Sequence, residues 1–385
     1  MHAPDAPQSD AAVHGARLVI NLDAIAANYR KIAALAAPAK TGAAVKADAY
    51  GLGLAPVARC LAKAGCEIFF VAHFSEGVGL RAILPDAHIY ILHGLPGDPA
   101  TPNGYAVASA AERYIAHGLR PVLNSLSELA AWRTAGSRGI GAILNFDTGM
   151  SRLGMGAKEA ATLATSPGLL AGVQIDYLMS HLSCADTPAH PLNAQQHAAF
   201  NRLRDLFPGM PASLANTAGA LLGPQYCYDL VRPGIGLYGG CPAGTGGNPF
   251  QGAVQLYAKI LQLRDVDSTD YVGYGATYRP GGPARIAVAG IGYADGYMRA
   301  LGNSGFGAIG GQRAPCIGRV SMDLCAFDVS GAPEELCAPG CEIELIGPNV
   351  PMENAAAAAG TINYEILTRL GSRLARSYIG EGTGT

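Results

Sequence analysis

Between about residue 42 and residue 240 the chain repeats one pattern eight times: a short apolar run closed by a polar residue or glycine, then an alanine-rich helical stretch. The runs are GAAVKADAYG, EIFFVAHF, HIYILHG, LRPVLN, GIGAILNFDTG, GVQIDYLMSHLS, PASLANTAG and DLVRPGIGLYGG. None alternates strictly between apolar and polar residues, so each predicts a strand covered on both faces. Such strands separated by helices predict an α/β parallel sheet, and eight fit a closed (β/α)8 TIM-type barrel of about 250 residues. The rival is an open doubly wound sheet. Its phosphate-binding turn needs a third glycine and a suitably placed acid, and the early GLG of Gly51 to Gly53 has neither.

Ahead of the first run, Asn21 before LDAIAANYRKIAALAA predicts a capped helix with Ile25, Tyr29, Ile32 and Leu35 recurring at helical spacing. At CPAGTGGNPFQG, residues 241–252, the alternation stops, which places a domain boundary there. Beyond it, AVQLYAKILQL, VGYGATY, ARIAVAGIGYADG, APCIGRVSMDLCAFDV and GCEIELIG read as strands of a C-terminal mainly β domain. A final alanine-rich segment predicts one or two helices. The expected organisation is a poorly ordered 1–16, a barrel over 17–250, and a β domain over 251–385 on which the N-terminal helix is a candidate to pack.

Composition narrows the function. With 27 basic against 29 acidic side chains there is no basic field to gather phosphates, so nucleic acid is not an expected partner. The nine cysteines include no CxxC, and all nine histidines lie at or before His197, so the late cysteines have no imidazole to complete a zinc site. Reduced core thiols and no metal are expected. The opening MHAPDAPQSD lacks the basic start and apolar run of a signal peptide, and no stretch approaches about 18 apolar residues. A cytoplasmic protein without membrane contact is the expectation.

Barrel chemistry gathers at the carboxyl ends of the strands. There this chain carries Lys46, Asp48 and Tyr50 after run one, Asp147 and Arg152 after run five, and His181 at run six. Runs seven and eight add Asn216, Thr217, Arg232 and Gly234. A lysine within an apolar run must be paired, snorkelled or deprotonated, and a desolvated amine near other cations suits Schiff-base chemistry. ANTAG and RPGIG supply hydroxyl, amide and open backbone donors where barrels commonly hold phosphate. Together these point to a phosphorylated carbonyl cofactor, pyridoxal phosphate. Arg232 would then face the pyridine nitrogen, and a group that keeps its proton makes a weaker electron sink, suited to proton exchange at Cα. Each residue also has a plainer reading. His181 alone would be a satisfied core histidine, the tyrosines packing residues, and Arg152 and Arg232 partners of Asp147 and Asp229.

AVKADAYGLG, DTGMSRLGMG, SHLSCAD, ANTAGAL, VRPGIGLYGG, GYGATY, GYADGY and GRVSMD follow in order the motifs of the alanine racemases. The chain resembles that family from about residue 17 to about residue 380. The resemblance implies a pyridoxal-phosphate enzyme, barrel plus β domain, that interconverts L- and D-alanine by two-base exchange at Cα and supplies D-alanine for peptidoglycan or passes the D isomer toward catabolism. It implies that Lys46 holds the cofactor covalently and exchanges the proton on the D-alanine side. Tyr293 would work on the opposite face, in the active site of a partner subunit, so a homodimer with shared sites is expected. Two groups are needed because a single base tends to return the proton to the face it left. The resemblance also implies that His181 and Arg232 belong to the hydrogen-bond network tuning that tyrosine. The resemblance further gives phosphate contacts to Tyr50, Thr217, Gly234, Ile235 and Tyr364, with Asn216 beside them. Arg152 would meet the cofactor's phenolic oxygen and the substrate carboxylate, the Met322 backbone N–H would meet that carboxylate with Asp323 beside it on the second subunit's contribution, and Tyr274 and Arg319 match positions near the substrate entrance.

Two positions depart from the family pattern. Where many members carry a carbamylated lysine that holds the arginine, this chain has Asn145, which cannot be carbamylated. An anion such as chloride is therefore expected near Asn145 and Arg152. Leu52 replaces a usual histidine, with little catalytic effect expected. Other readings carried forward are a racemase of another small amino acid such as serine, a pyridoxal-phosphate-binding protein without turnover, and a decarboxylase or aldolase. A carrier would need neither Tyr293 nor Met322, and decarboxylases usually present an acid where this chain has Arg232.

Overall fold

The computed structural model describes residues 15–95, 105–242 and 247–381. Each of the eight predicted runs contains a parallel strand. They are β3 (Ala43–Ala44), β4 (Ile68–Val71), β5 (His88–Ile91), β6 (Arg120–Leu123), β7 (Ala142–Asn145), β8 (Ile175–Met179), β9 (Ala212–Ser213) and β10 (Leu230–Val231). β3 to β9 pair in sequence order, and β10 pairs with β2 (Lys40–Thr41), one residue before β3. The ring closes through backbone hydrogen bonds, Arg232 N to Ala215 O on one side of β10 and Gly42 N to Val231 O on the other. The strands read as apolar runs because both faces are covered. In β4 all four residues of IFFV are 5% exposed or less, and each such side chain contributes about 1.5–3 kcal/mol by leaving water.

The predicted first helix, α1 (Leu22–Ala36), is capped by the Asn21 side chain, which accepts from Ala24 N at 3.0 Å. Ile25, Tyr29 and Ile32 are buried while Leu35 faces outward. The helix lies on the barrel: Asn28 Nδ2 donates to Leu237 O, and the Tyr29 hydroxyl donates to Thr41 O.

It is the preceding strand, β1 (Ala16–Asn21), that joins the β domain. β1 runs antiparallel to β11 (Val254–Val266) and parallel to β17 (Ala375–Ile379). This corrects the expected barrel start at residue 17. The expected poorly ordered segment lies outside the described residues for 1–14, and Ala16 already opens β1.

The rest of the β domain is β12 (Ala284–Ala289), β13 (Phe306–Ile309), β14 (Gln312–Ile317), β15 (Cys325–Asp328) and β16 (Glu342–Ile346). The order β12-β15-β14-β13-β16-β11, with β11 also pairing β12, closes six strands into a second ring. β11 serves both sides by shifting register between Ile260 and Gln262. VGYGATY, expected as a strand, is a 3-10 turn over Tyr274–Ala276, because positive φ at Gly273, Gly275 and Ala276 breaks the ladder. Two short helices, Met352–Ala358 and Asn363–Thr368, return from this domain to the barrel mouth. Six of the nine cysteines are buried, and Cys184, Cys241 and Cys341 are half-buried. No helix among the described residues is long and apolar enough to cross a membrane.

Candidate active site

A cavity of about 920 Å³ opens at the carboxyl ends of the barrel strands. Ten of the predicted residues line it: Lys46, Tyr50, Arg152, His181, Asn216, Thr217, Arg232, Gly234, Ile235 and Tyr364. Nine come from the strand ends, and Tyr364 comes from the last helix of the chain.

Lys46 is half-buried just beyond β3. Burial and the nearby Arg152 guanidinium hold its amine below the usual lysine value, with Glu76 opposing. The chain then makes a left-handed turn, with φ of 54°, 54°, 52° and 60° at Ala47, Asp48, Ala49 and Tyr50. Each such L-residue costs roughly 1–2 kcal/mol, so the turn persists only where its surroundings fix it. It sets Lys46 and Tyr50 on one cavity wall.

The phosphate-side cradle is built from glycine and hydroxyl. Thr217 Oγ1 accepts from Gly234 N at 3.0 Å and Gly236 N at 3.3 Å. A Cβ at Gly234 would fall on the Tyr50 hydroxyl, so only glycine lets the tyrosine reach this backbone. The Tyr50 ring stands 4.7 Å from Tyr238 and 6.1 Å from Tyr364, between centroids. Burial raises both cavity phenols, Tyr364 to about 12 and Tyr50 further, so each remains a hydrogen-bond donor at neutral pH. Asn216 Oδ1 accepts from Gly219 N at 2.9 Å, capping the turn that carries Thr217.

Arg232 is 6% exposed. It does not pair with Asp229, whose Oδ2 accepts instead from Ala212 N at 2.7 Å. Its guanidinium donates to Ser213 Oγ, to Ser180 O at 2.8 Å and to His181 Nδ1 at 3.3 Å. Burial, then Arg152, push it down to about 9, which leaves it protonated at neutral pH. Ser213 escaped sequence reasoning because a serine one residue after an alanine in a two-residue strand carries no distinctive pattern. Arg152 is exposed and likewise not neutralised by Asp147, whose Oδ1 is used by the Gly149, Met150 and Ser151 amides. The ion pairs offered as plain readings of the two arginines therefore do not form.

His181 is pushed down to about 3, first by burial and then by Arg232, Arg152 and Lys46. It is neutral in the folded protein and accepts from Arg232. Between pH 6.5 and about 3 the unfolded chain binds a proton that the folded chain refuses. This stability is fully present above pH 6.5 and is lost as pH falls through that window. The expected slope is at most about 1.4 kcal/mol per pH unit. Urea midpoints across this pH range measure it, and His181→Asn should flatten the dependence.

A buried arginine, a desolvated lysine and an exposed arginine share one cavity, with neither arginine neutralised by its neighbouring acid. That donor set, with the Gly234 cradle, fits an elongated polyanion carrying a phosphate at one end and a carbonyl near Lys46.

Tyr293, Met322 and Asp323, which the resemblance assigns to the reaction and the substrate, do not line this cavity. They stand together on the β domain, where Tyr293 N donates to Ser321 O and Ala294 N donates to Met322 O, both at 3.0 Å. A Cβ at Gly292 would collide with Met322 O, which makes glycine necessary where the two loops meet. Tyr293 is 44% exposed and Met322 54%. Asp323 pairs with Arg373 at 2.8 Å, and Arg373 also meets Asp295. Tyr274 is exposed, and a Cβ at the adjacent Gly275 would run into the Arg319 guanidinium.

Residues 20–242 match the family model described as alanine racemase, N-terminal domain, and residues 253–378 match alanine racemase, C-terminal domain. The alanine racemase of Methylobacterium nodulans is 46% identical over 370 residues, covering 95% of this chain and 96% of that protein. That of Rhodospirillum rubrum is 44% identical over 376 residues, covering 96% and 98%. Among solved structures, alanine racemase from Bartonella henselae with covalently bound pyridoxal phosphate superposes with a TM-score of 0.87. It is 38% identical and covers 95% of this chain and 99% of its own. With both domains matched in order and relatives similar along nearly their whole length, the chain belongs to the alanine racemase family of isomerases.

Proposed function

We propose that the protein interconverts L- and D-alanine, using pyridoxal phosphate held through Lys46 in the barrel cavity. The observation that carries this reading is the desolvated Lys46 amine in a cavity where Arg152 and Arg232 have no acid of their own. When bound, the cofactor supplies an electron sink that makes the Cα proton removable. Thr217, Gly234, Ile235, Tyr50 and Tyr364, beside Asn216, hold its phosphate. Arg232, still protonated at neutral pH although burial and Arg152 lower it to about 9, would donate a hydrogen bond to the ring without surrendering a proton. Lys46 moves the proton on one face of Cα.

Tyr293 serves the other face from a second copy of the chain. Its exposure, with that of Met322 and Asp323, and their absence from the cavity lining favour a homodimer with shared sites. The Met322 backbone N–H and Arg152 hold the substrate carboxylate. The reading includes a cytoplasmic enzyme supplying D-alanine to cell-wall peptide. Purified protein given L-alanine or L-serine, followed by chiral chromatography, tests it. Equal final amounts of D- and L-alanine are expected, and inversion of serine alone, or of neither, would overturn it.

An anion beside Arg152 completes the site. Asn145, buried at the end of β7, donates through Nδ2 to Asn124 Oδ1 at 2.8 Å and shares the cavity wall with Arg152. A neutral amide leaves the guanidinium uncompensated, and a monovalent anion such as chloride would compensate it. Replacing chloride by gluconate should raise KM for alanine several-fold, with recovery on adding chloride. An unchanged KM would remove chloride from the account.

A further inference from the structure

The left-handed turn after Lys46 is gripped by a carboxylate that the proposed reaction does not use. Glu76 lies in the first turn of the helix Phe74–Ile83, which follows β4. Its Oε2 accepts from Ala72 N at 2.8 Å and His73 N at 2.9 Å, a local role at the start of its own helix. Its Oε1 reaches outward instead and accepts from Ala47 N at 2.6 Å. That N–H belongs to the peptide joining Lys46 to Ala47. Hydrogen bonds from an amide to a carboxylate are short and strong. The far end of the turn is closed by a second carboxylate, Asp48 Oδ1 accepting from Leu54 N at 2.6 Å. Four successive left-handed residues are thus clamped at both ends, and the first clamp comes from the neighbouring strand–helix unit.

We propose that Glu76 is a positioning residue for Lys46: it fixes the Lys46–Ala47 peptide, sets the turn, and aims the amine into the barrel mouth. The inference rests on Lys46 being the amine that takes the cofactor. Glu76 is also the acid in a ring of cations and imidazoles around that amine. Arg152 faces it from the loop after β7, His93 from the loop after β5, and His181 from the end of β8. Removing the Glu76 charge leaves these others in place, so the amine should become less basic as well as less well aimed.

Glu76→Gln keeps the size and loses the charge. Glu76→Asp keeps the charge but is too short to serve Oε2 and Oε1 partners together. In the full-length protein stripped of cofactor, the pH midpoint for acetylation of Lys46, read by peptide mass spectrometry, should fall in the Gln variant, because the one acid that raises it is gone. Borohydride trapping of added pyridoxal phosphate on Lys46 should slow about tenfold or more in both variants, as expected for a misaimed nucleophile. In the loaded enzyme kcat should fall similarly, with KM for alanine nearly unchanged. If the parent protein traps no cofactor on Lys46, the assignment of Lys46 fails. If the parent traps it and both variants match its trapping rate and acetylation midpoint, Glu76 only caps its helix. A lowered melting temperature with those two readouts unmoved is that same contrary result.

Discussion

Lys46→Ala is expected to abolish racemisation in both directions, by at least about 10⁴-fold, because it removes an acid–base group and the covalent anchor together. The amine lies in a half-buried position beyond β3, and Arg152 and burial depress its basicity. A charge-preserving Lys46→Arg should be almost as inactive, since guanidinium is neither a nucleophile nor a base at neutral pH. The phosphate cradle of Thr217, Gly234 and Tyr50 does not depend on Lys46. Both variants should therefore still bind pyridoxal phosphate, reversibly and removable by gel filtration, without the absorbance of the covalent form. Activity of either variant above about 1% of the parent would show that another group does the work.

Tyr293→Phe is expected to keep cofactor capture and colour while losing about 10²- to 10⁴-fold in racemisation, the range for a positioned acid or base. Its ring is 44% exposed and the 3-10 turn over Tyr293–Asp295 is held by backbone bonds to Ser321 and Met322, so loss of one hydroxyl should not disturb the fold. The two variants also test the shared site. In a dimer mixing Lys46→Ala with Tyr293→Phe, one active site carries both defects and the other carries neither. Random pairing after refolding together should restore about a quarter of the parental activity from two inactive proteins. No recovery, with mixed dimers demonstrated by mass, would place Tyr293 in its own chain's site or outside catalysis.

The barrel was legible because its strands are buried on both faces, and eight apolar runs between helical stretches leave few other folds. Polar residues closing those runs, Lys46, His181 and Arg232, then fall at one mouth by strand direction alone. β1 was not legible as part of the β domain. Its six residues, ARLVIN, pair with β11 and β17 more than 230 residues later, and nothing local announces such partners. β17 itself, ARSYI, is short and only half-buried, so it read as the tail of a helical segment. Glycines at 273 and 275 misled in the opposite direction: the surrounding VGYGATY has strand composition, yet its backbone turns. Of the functional positions, those that bind through side chains at strand ends stood out. Supporting groups such as Ser213 and Glu76, which act through hydrogen bonds to other residues, left no pattern in the sequence.

The central claim is that one proton leaves Cα on one face and a different proton arrives on the other. It is tested most directly by the first turnovers of L-alanine in heavy water, with both enantiomers separated and their Cα deuterium measured by mass spectrometry. Two groups, Lys46 and Tyr293, predict D-alanine that carries solvent deuterium from the earliest time points, while the remaining L-alanine is still protiated. D-alanine that retains the substrate's own α-proton would mean that a single base carries it across, and would contradict the assignment of two.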